Sequence, residues 1–399
     1  MPLASFTRAR LACASFFAAS CLGWSLLLSR LPALKAQTQA SEAEIGLALL
    51  AIGASGLAAL LSSARILGRT GSRKACLFGT LGMLASLPLA ALAQTPLQLS
   101  LLLAAFGFAM ALVDMAANTQ GMLIEKRYRK PAMSVLHAFY GLGVLAGSLS
   151  GSLCAGLGLG PFANVICAFL PFALLLPWAH RHLQQDEPRK AEERRGKAQK
   201  KRPPAFVVFC GLAVMCAYAA EGAAGDWGSL FLATCKGADE QTAALAYGAF
   251  GTAACACRFF GDRLRSRLGE RPLAVAGSLA AFGGVAILLW GSFPWICLGG
   301  CLLLGAGLSP IGPIYFSLAG RVPGVDPVRA SACVSTLAYG ALLVFPAILG
   351  GLAQAFGLDR ALLLPLLLCA LLSLASFVAL APQALRDSRP GPANRTPAP

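Results

Sequence analysis

Apolar residues in this chain gather in long runs of nearly one length, separated by short polar segments. A helix rises 1.5 Å per residue, so about twenty apolar residues cross a hydrocarbon core roughly 30 Å thick. Twelve such runs can be drawn: 9–29, 44–63, 75–93, 97–117, 132–157, 159–180, 205–228, 242–260, 272–291, 294–317, 329–354 and 359–381. The pattern predicts an all-α membrane protein of twelve transmembrane helices.

The polar segments test that count independently. With the N-terminus placed in the cytoplasm, 29 of the 33 lysines and arginines fall on the cytoplasmic side, Arg258 counted among those of 258–271. Only Arg30, Lys35, Lys236 and Arg360 fall outside it. This is the positive-inside bias, which an odd number of spans would scramble, so both termini are expected in the cytoplasm. Eleven runs follow the first, which therefore reads as a retained helix and not as a cleaved leader.

Composition then removes whole classes. With 57% hydrophobic residues, 13% charged residues and a mean hydropathy of +0.68, the chain lacks the charge to cover a soluble domain. The net charge of +16 belongs to topology and anionic headgroups, so no nucleic-acid partner is expected. Fourteen cysteines lie mostly inside the runs, and Cys297 and Cys301, four apart, read as packing residues. No disulfide, metal or cofactor is expected. No phosphate-binding lysine loop and no nucleophile elbow appears, so neither an ATP-driven pump nor an enzyme is indicated, and no catalytic residue is assigned.

The chain also repeats itself. Arg65, Arg69, Gly71 and Arg73 are echoed by Arg263, Arg267, Gly269 and Arg271 at an offset of 198, and Tyr140-Gly141 returns as Tyr339-Gly340. Two six-helix bundles in the same orientation, related by a pseudo-two-fold axis, follow from this offset. The expected division is a first bundle over 1–182, a basic cytoplasmic linker over 183–204, a second bundle over 205–381 and a tail over 382–399.

Chemistry within the runs is sparse, which makes it conspicuous. Fourteen of the seventeen acidic residues sit in loops, tails or interfacial ends, leaving Asp114, Glu221 and Asp226. A charge at the bilayer centre costs about 2.5–3.5 kcal/mol on insertion scales, so such residues are functional candidates. Counting from Glu125 at the interface places Asp114 about 16 Å deep, with Asn118 one turn away on the same face. Glu221 is expected past the midplane and Asp226, beside Trp227, at the outer mouth. The Gly-Ala-Ala-Gly stretch after Glu221 can let the helix unwind or a neighbour approach. His137, inside a run, is a candidate proton relay with a packing histidine as its competitor. Ser309-Pro310 and Pro313 should break span ten, exposing Ser309 and Tyr315 to a cavity. Arg30 either snorkels to headgroups or caps the cavity.

The two parallel halves, the basic central segment and the R-x-G-x-R turns resemble the major facilitator superfamily across about residues 9–381. Of the family's loop pattern G-x-x-x-D-R-x-G-R-[RK], Arg69, Gly71, Arg73 and Lys74 match, while Ala64 and Gly68 replace the Gly and Asp. The resemblance implies gating roles for Arg65, Arg69, Gly71 and Arg73, and for Arg263, Arg267, Gly269 and Arg271, with Asp262 and Arg263 taking over part of the missing acid's work. Asp114-Met-Ala-Ala-Asn118 resembles the E-T-A-A-N-P motif of fucose-permease-like proton symporters, with Asp for Glu and Thr119 for Pro. That likeness implies proton coupling at Asp114 and a substrate contact at Asn118. The second acid of that group would fall on Leu28, which is apolar, so its work passes to Glu221. Tyr140, Asp226, Trp227, Ser309 and Tyr315 complete the expected substrate contacts.

The expected protein is a monomeric secondary transporter in a bacterial inner membrane, taking protons and a small polar or sugar-like solute. A proton-driven exporter of drugs or metabolites is the alternative, since Phe345-Pro346 through Gly350-Gly351 loosely resembles an antiporter ending. A membrane receptor that moves nothing stands third.

Overall fold

The structure, a computed structural model, describes residues 2–186 and 204–379. Most of the expected linker and all of the expected tail lie outside the described residues. Every element among those described is a helix. In order they are α1 (Pro2–Ser29), α2 (Leu31–Thr38), α3 (Glu42–Thr70), α4 (Ser72–Ala90), α5 (Pro96–Tyr128), α6 (Met133–Gly156), α7 (Pro161–His182) and α8 (Ala205–Ala224). There follow α9 (Gly228–Cys235), α10 (Glu240–Ala243), α11 (Ala246–Leu268), α12 (Glu270–Trp290), α13 (Pro294–Leu308), α14 (Ile311–Gly320), α15 (Pro327–Phe356), α16 (Leu358–Ala361) and α17 (Leu363–Ala379). In lipid no water can pair backbone groups, so helices that satisfy their own N–H and C=O groups are the available solution.

Among the described residues, ten helical segments are long and apolar enough to cross a membrane. The two expected spans missing from that set are α4 and α11, both of which are nonetheless helical. Arg73 and Lys74 dilute the first turn of α4. Small residues and Arg258 dilute α11, which spends its surface on close helix packing instead of on lipid.

Local signals set the helix ends. Ser41 opens α3 with a reciprocal cap, its side chain accepting from the Glu44 N–H while the Glu44 carboxylate accepts from the Ser41 N–H. Thr95 caps α5, with Pro96 in the first turn. Gly71 and Gly269, the equivalent positions of the repeat, each join two helices at positive φ, 78° and 82°. Only glycine takes that turn without strain.

Helices α1 to α7 pack mainly on one another, α1 along α6 and α5 against α3 and α4. Helices α8 to α17 do the same, with α12 on α13 and α17, α11 on α13, and α8 on α15. Contact between them runs through α3 with α15, α6 with α11 and α10, and α2 with α9. The α11–α13 approach is among the closest, and the one that meets backbone most tightly. A Cβ on Gly305 would collide with the Phe250 carbonyl oxygen, a backbone atom that cannot rotate away. Gly305→Val is therefore expected to cost more than the usual 1–3 kcal/mol of overpacking, read as lost monodisperse protein on size exclusion and a lowered melting temperature.

Candidate functional site

The tightest approaches across the α3–α15 and α6–α11 seams gather toward one end of the molecule, away from the Gly71 and Gly269 turns. A Cβ on Gly46 would stand 2.8 Å from the Pro346 carbonyl oxygen, and one on Gly350 would stand 2.7 Å from that of Glu42. Gly141 meets Cys255, and Gly248 meets Ser148, whose Oγ donates to the Ala244 carbonyl at 2.7 Å. On the side of these seams toward the basic end, the polar side chains of His137, Tyr140, Arg258 and Tyr339 are exposed. Polar groups at such depth are kept off lipid, which accounts for their exposure if they border a water-accessible space between the helices.

Asp114 stands near mid-length of α5, as its sequence position implies. Asn118 Nδ2 donates to the Asp114 backbone carbonyl at 2.8 Å and lies 3.4 Å from its Oδ1. His137 lies within electrostatic reach of this carboxyl, and its ring meets Phe17 edge-on at 5.2 Å. Tyr140 lies against Cys21 and within the field of Asp114 and of Tyr247. The structure thus brings Asp114, Asn118, His137 and Tyr140 together from α5 and α6. Gln120 points elsewhere, bonding Ser72 and the backbone of Gln184.

Glu221 occupies the second wall. The expected end of this span at 228 needs correction, because Gly225-Asp226-Trp227 is a break inside a longer rod and the chain continues as α9 to Cys235. Leu230, Phe231 and Leu232 are buried there, which is what carries the span onward. Glu221 is consequently close to the middle of the α8–α9 rod, and Asp226 is interior to it and not at an outer mouth. Gly225 admits the Tyr247 ring, which a Cβ would approach at 3.5 Å. Tyr247 lies in the fields of Glu221, Asp226 and Cys21, and so sits between the two acidic clusters. A cavity of about 40 Å³ is bounded by Tyr218, Glu221, Arg258, Ser309 and Gly312, where α13 breaks at Ser309-Pro310 and α14 begins.

Other expected contacts lie off this space. Trp227 is fully buried, and its Nε1 has no partner among the described residues. Tyr315 is also fully buried, its hydroxyl paired with Ser376 of α17 at 2.8 Å. Neither side chain is exposed in this conformation.

The basic loops hold each half together. Arg65, Arg69, Arg263 and Arg267 are exposed, and the side chain of Asp262 lies outside those described. Arg73 Nε donates to the His180 carbonyl at 3.1 Å, and Arg271 donates to that of Phe377. The acid missing from the first loop is supplied from the end of α7, where Asp186 accepts from the backbone N–H groups of Ser72 and Arg73 at 2.8 and 3.2 Å. Glu270 pairs with Arg265 and Arg321 in the other half. Asp186→Ala removes a cap from α4 and is expected to cost about 0.5–2 kcal/mol, read as faster amide exchange over residues 72–76. Unchanged protection there would remove Asp186 from this role.

Arg30 does not snorkel. Only 2% exposed, it donates to the carbonyls of Gly151 at 3.3 Å and Leu159 at 2.7 Å, and its Nε stands 3.0 Å from Glu240 Oε1 across the closed end. Ser229 reinforces the same closure by donating to the Leu28 carbonyl at 2.6 Å. Asp239 caps α10 beside this pair. Hydrogen bonds from Thr242 hold its carboxyl below the usual range, so that cap is intact at neutral pH and lost only as pH falls through the lowered value.

Sequence reasoning missed Arg258, Tyr247, Asp186 and the Arg30–Glu240 pair. The signal for Arg258 was present, since it falls inside the 242–260 run and not after it. The cysteines are free, and no group of metal-ligating residues occurs among the described residues.

A family model described as Major Facilitator Superfamily matches residues 13–328. An uncharacterized MFS-type transporter of Yersinia pestis is 30% identical over 353 residues, covering 87% of this chain and 89% of that protein. Membrane protein MosC of Rhizobium meliloti is 29% identical over 335 residues, 84% of this chain and 81% of its own. Among solved structures, the nucleoside transporter NupG superposes with a TM-score of 0.75 at 12% identity, covering 94% of this chain and 100% of that one. A bacterial homolog of the human lysosomal transporter Spinster, in an inward-facing and occupied conformation, gives 0.72 at 14% identity over 96% and 98%. At such identities the structural likeness shows the fold alone.

Proposed function

The chain belongs to the major facilitator superfamily, and from that premise we propose that this multi-pass membrane transporter couples proton movement to the passage of a small polar solute by alternating access. It is a transporter and not an enzyme. The observation that carries the coupled reading is a pair of carboxylates, Asp114 and Glu221, contributed by opposite halves at mid-depth to the walls of one space. The packing supports two six-helix bundles with their seam sealed at the far end. In this reading the basic loops face the cytoplasm, the conformation is inward-open, and the protein works as a monomer in a bacterial inner membrane. It meets lipid, solute and protons and has no nucleic-acid partner.

In this reading, an acid that is protonated in one access state and ionised in the other carries the proton. One charge crossing 100 mV is worth about 2.3 kcal/mol, enough to bias the cycle. Asn118 and Tyr140 hold the solute beside Asp114, and His137 passes the proton toward the open end. The first bundle's Arg69, Gly71 and Arg73 and the second bundle's Arg267, Gly269 and Arg271 steer closure at the basic end.

A proton-driven exporter is the second reading, favoured by Pro346 and Gly350, which pack directly on Gly46 at the seam. The test is purified protein in liposomes containing a pH-sensitive dye, challenged with sugars, polyols and their acids. Solute-dependent acidification supports symport. Silence with these, but proton release on adding cationic drugs, supports export. Saturable binding of a solute with no flux of either kind contradicts both.

A further inference from the structure

Arg258 is a cation without a place in the proton-carrying scheme. It lies ten residues before Leu268, the last residue of α11, and so about 15 Å from the basic end at 1.5 Å per residue. Arginine at that depth is tolerated where it faces protein or a water-filled cavity. Arg30 is buried among carbonyls and an acid, whereas Arg258 is exposed to the open space. Its charged neighbour is Glu221 on the facing α8, and Tyr218 and Tyr247 share the same field.

Three further features converge on this guanidinium. The cavity of about 40 Å³ beside it is walled by Glu221, Tyr218 and Ser309. That volume holds about three waters or one carboxylate group. The first turn of α14 closes the cavity at Gly312 and Pro313. A ten-residue helix directs its N-terminal partial positive charge to that wall, which favours an anion. Gly312, though buried, has the Tyr218 hydroxyl as the nearest neighbour of a Cβ added there, at 4.0 Å, so its backbone borders the cavity without a side chain in between.

We propose that the transported solute carries a carboxylate, and that Arg258, the first turn of α14, Tyr218 and Ser309 bind it. The solute class is a small hydroxylated monocarboxylate of sugar-acid size, with its hydroxyls directed toward Asn118 and Tyr140 in the other half. The inference rests on the solute-transport reading above. It also assigns Glu221 a second part: while ionised it competes with the solute for Arg258, and once protonated it releases the guanidinium to the solute. The groups facing Glu221 in that exchange are Arg258, Tyr218, Tyr247 and Asp226.

The test is equilibrium binding and thermal stabilisation of the full chain in detergent, with no proton gradient present. The probes are gluconate and glucuronate, set against sorbitol and glucose as their uncharged counterparts. The expected result is binding of the acids at least tenfold tighter than the neutral compounds, lost at least tenfold in Arg258→Gln and partly kept in Arg258→Lys. Neutral probes binding as well as the acids, an acid bound equally by Arg258→Gln, or no acid bound at all would each overturn the proposal. The wild-type comparison decides even where Arg258→Gln is not monodisperse. Proton-coupled uptake of sorbitol or glucose in vesicles, together with failure here, would remove the carboxylate and leave proton coupling standing.

Discussion

Asp114→Asn abolishes solute-driven proton entry in reconstituted vesicles, by an expected factor of at least one hundred, while the protein remains folded. The substitution keeps the size of the side chain and a hydrogen-bonding partner for Asn118, so packing around α5 is preserved. What it removes is the one titratable carboxyl in the first wall of the space. An amide cannot exchange a proton between access states, so the coupling carried at Asp114 is lost. The variant should still exchange solute for solute, a step in which no net proton moves. Loss of exchange as well as proton entry would make Asp114 a structural or solute-binding group, and unchanged proton entry would remove it from coupling. Glu221→Gln separates the two acids, since equal proton entry in that variant and in wild type places the coupling at Asp114 alone.

Opening the far end by removing Arg30 is the second large effect. Arg30 is seated on the first half by the Gly151 and Leu159 carbonyls and reaches across to Glu240 in the second. A hydrogen bond from a charged donor contributes about 1.5–3 kcal/mol. Of these contacts only that with Glu240 crosses between the halves, so Arg30→Gln is expected to weaken closure by about 1.5–3 kcal/mol, a shift in population of roughly tenfold to somewhat over a hundredfold. Glu240→Gln leaves Arg30, only 2% exposed, on its two carbonyls without the counter-charge across the seam, so it should weaken closure as well. Amide exchange reads both, since α2, α9 and α10 meet at this closure. Protection over 228–243 should fall in both Arg30→Gln and Glu240→Gln. Equal protection in Arg30→Gln and wild type would mean that the closed end is held by the Gly46–Gly350 packing and not by this arginine.

The helices were legible because apolar run length is a direct consequence of bilayer thickness, and the repeat because Gly71 and Gly269 meet the same backbone demand. Depth was legible for Asp114, where one unbroken helix lets residues be counted. It failed for Glu221 and Asp226, since Trp227 reads as an interfacial anchor although its ring is buried and the rod continues to Cys235. Rotation about a helix axis was not legible either. The break at Ser309-Pro310 was expected, but the direction in which α14 leaves it turns Tyr315 to Ser376 and away from the space. Arg258 was assigned to a loop because arginines in a basic segment normally belong there, and only the neighbouring α8 reveals its partner. Asp186 illustrates the same limit, since its contact with Ser72 joins residues 114 positions apart.

The most direct measurement is concentrative uptake in vesicles under an imposed gradient, acidic on the side from which solute enters. A labelled solute that first produces a dye response is followed together with the lumenal pH. The account predicts accumulation above the external concentration, proton and solute entering in a fixed ratio, and both stopping when a protonophore collapses the gradients. Accumulation that persists after the collapse, or solute that equilibrates without protons, would contradict it.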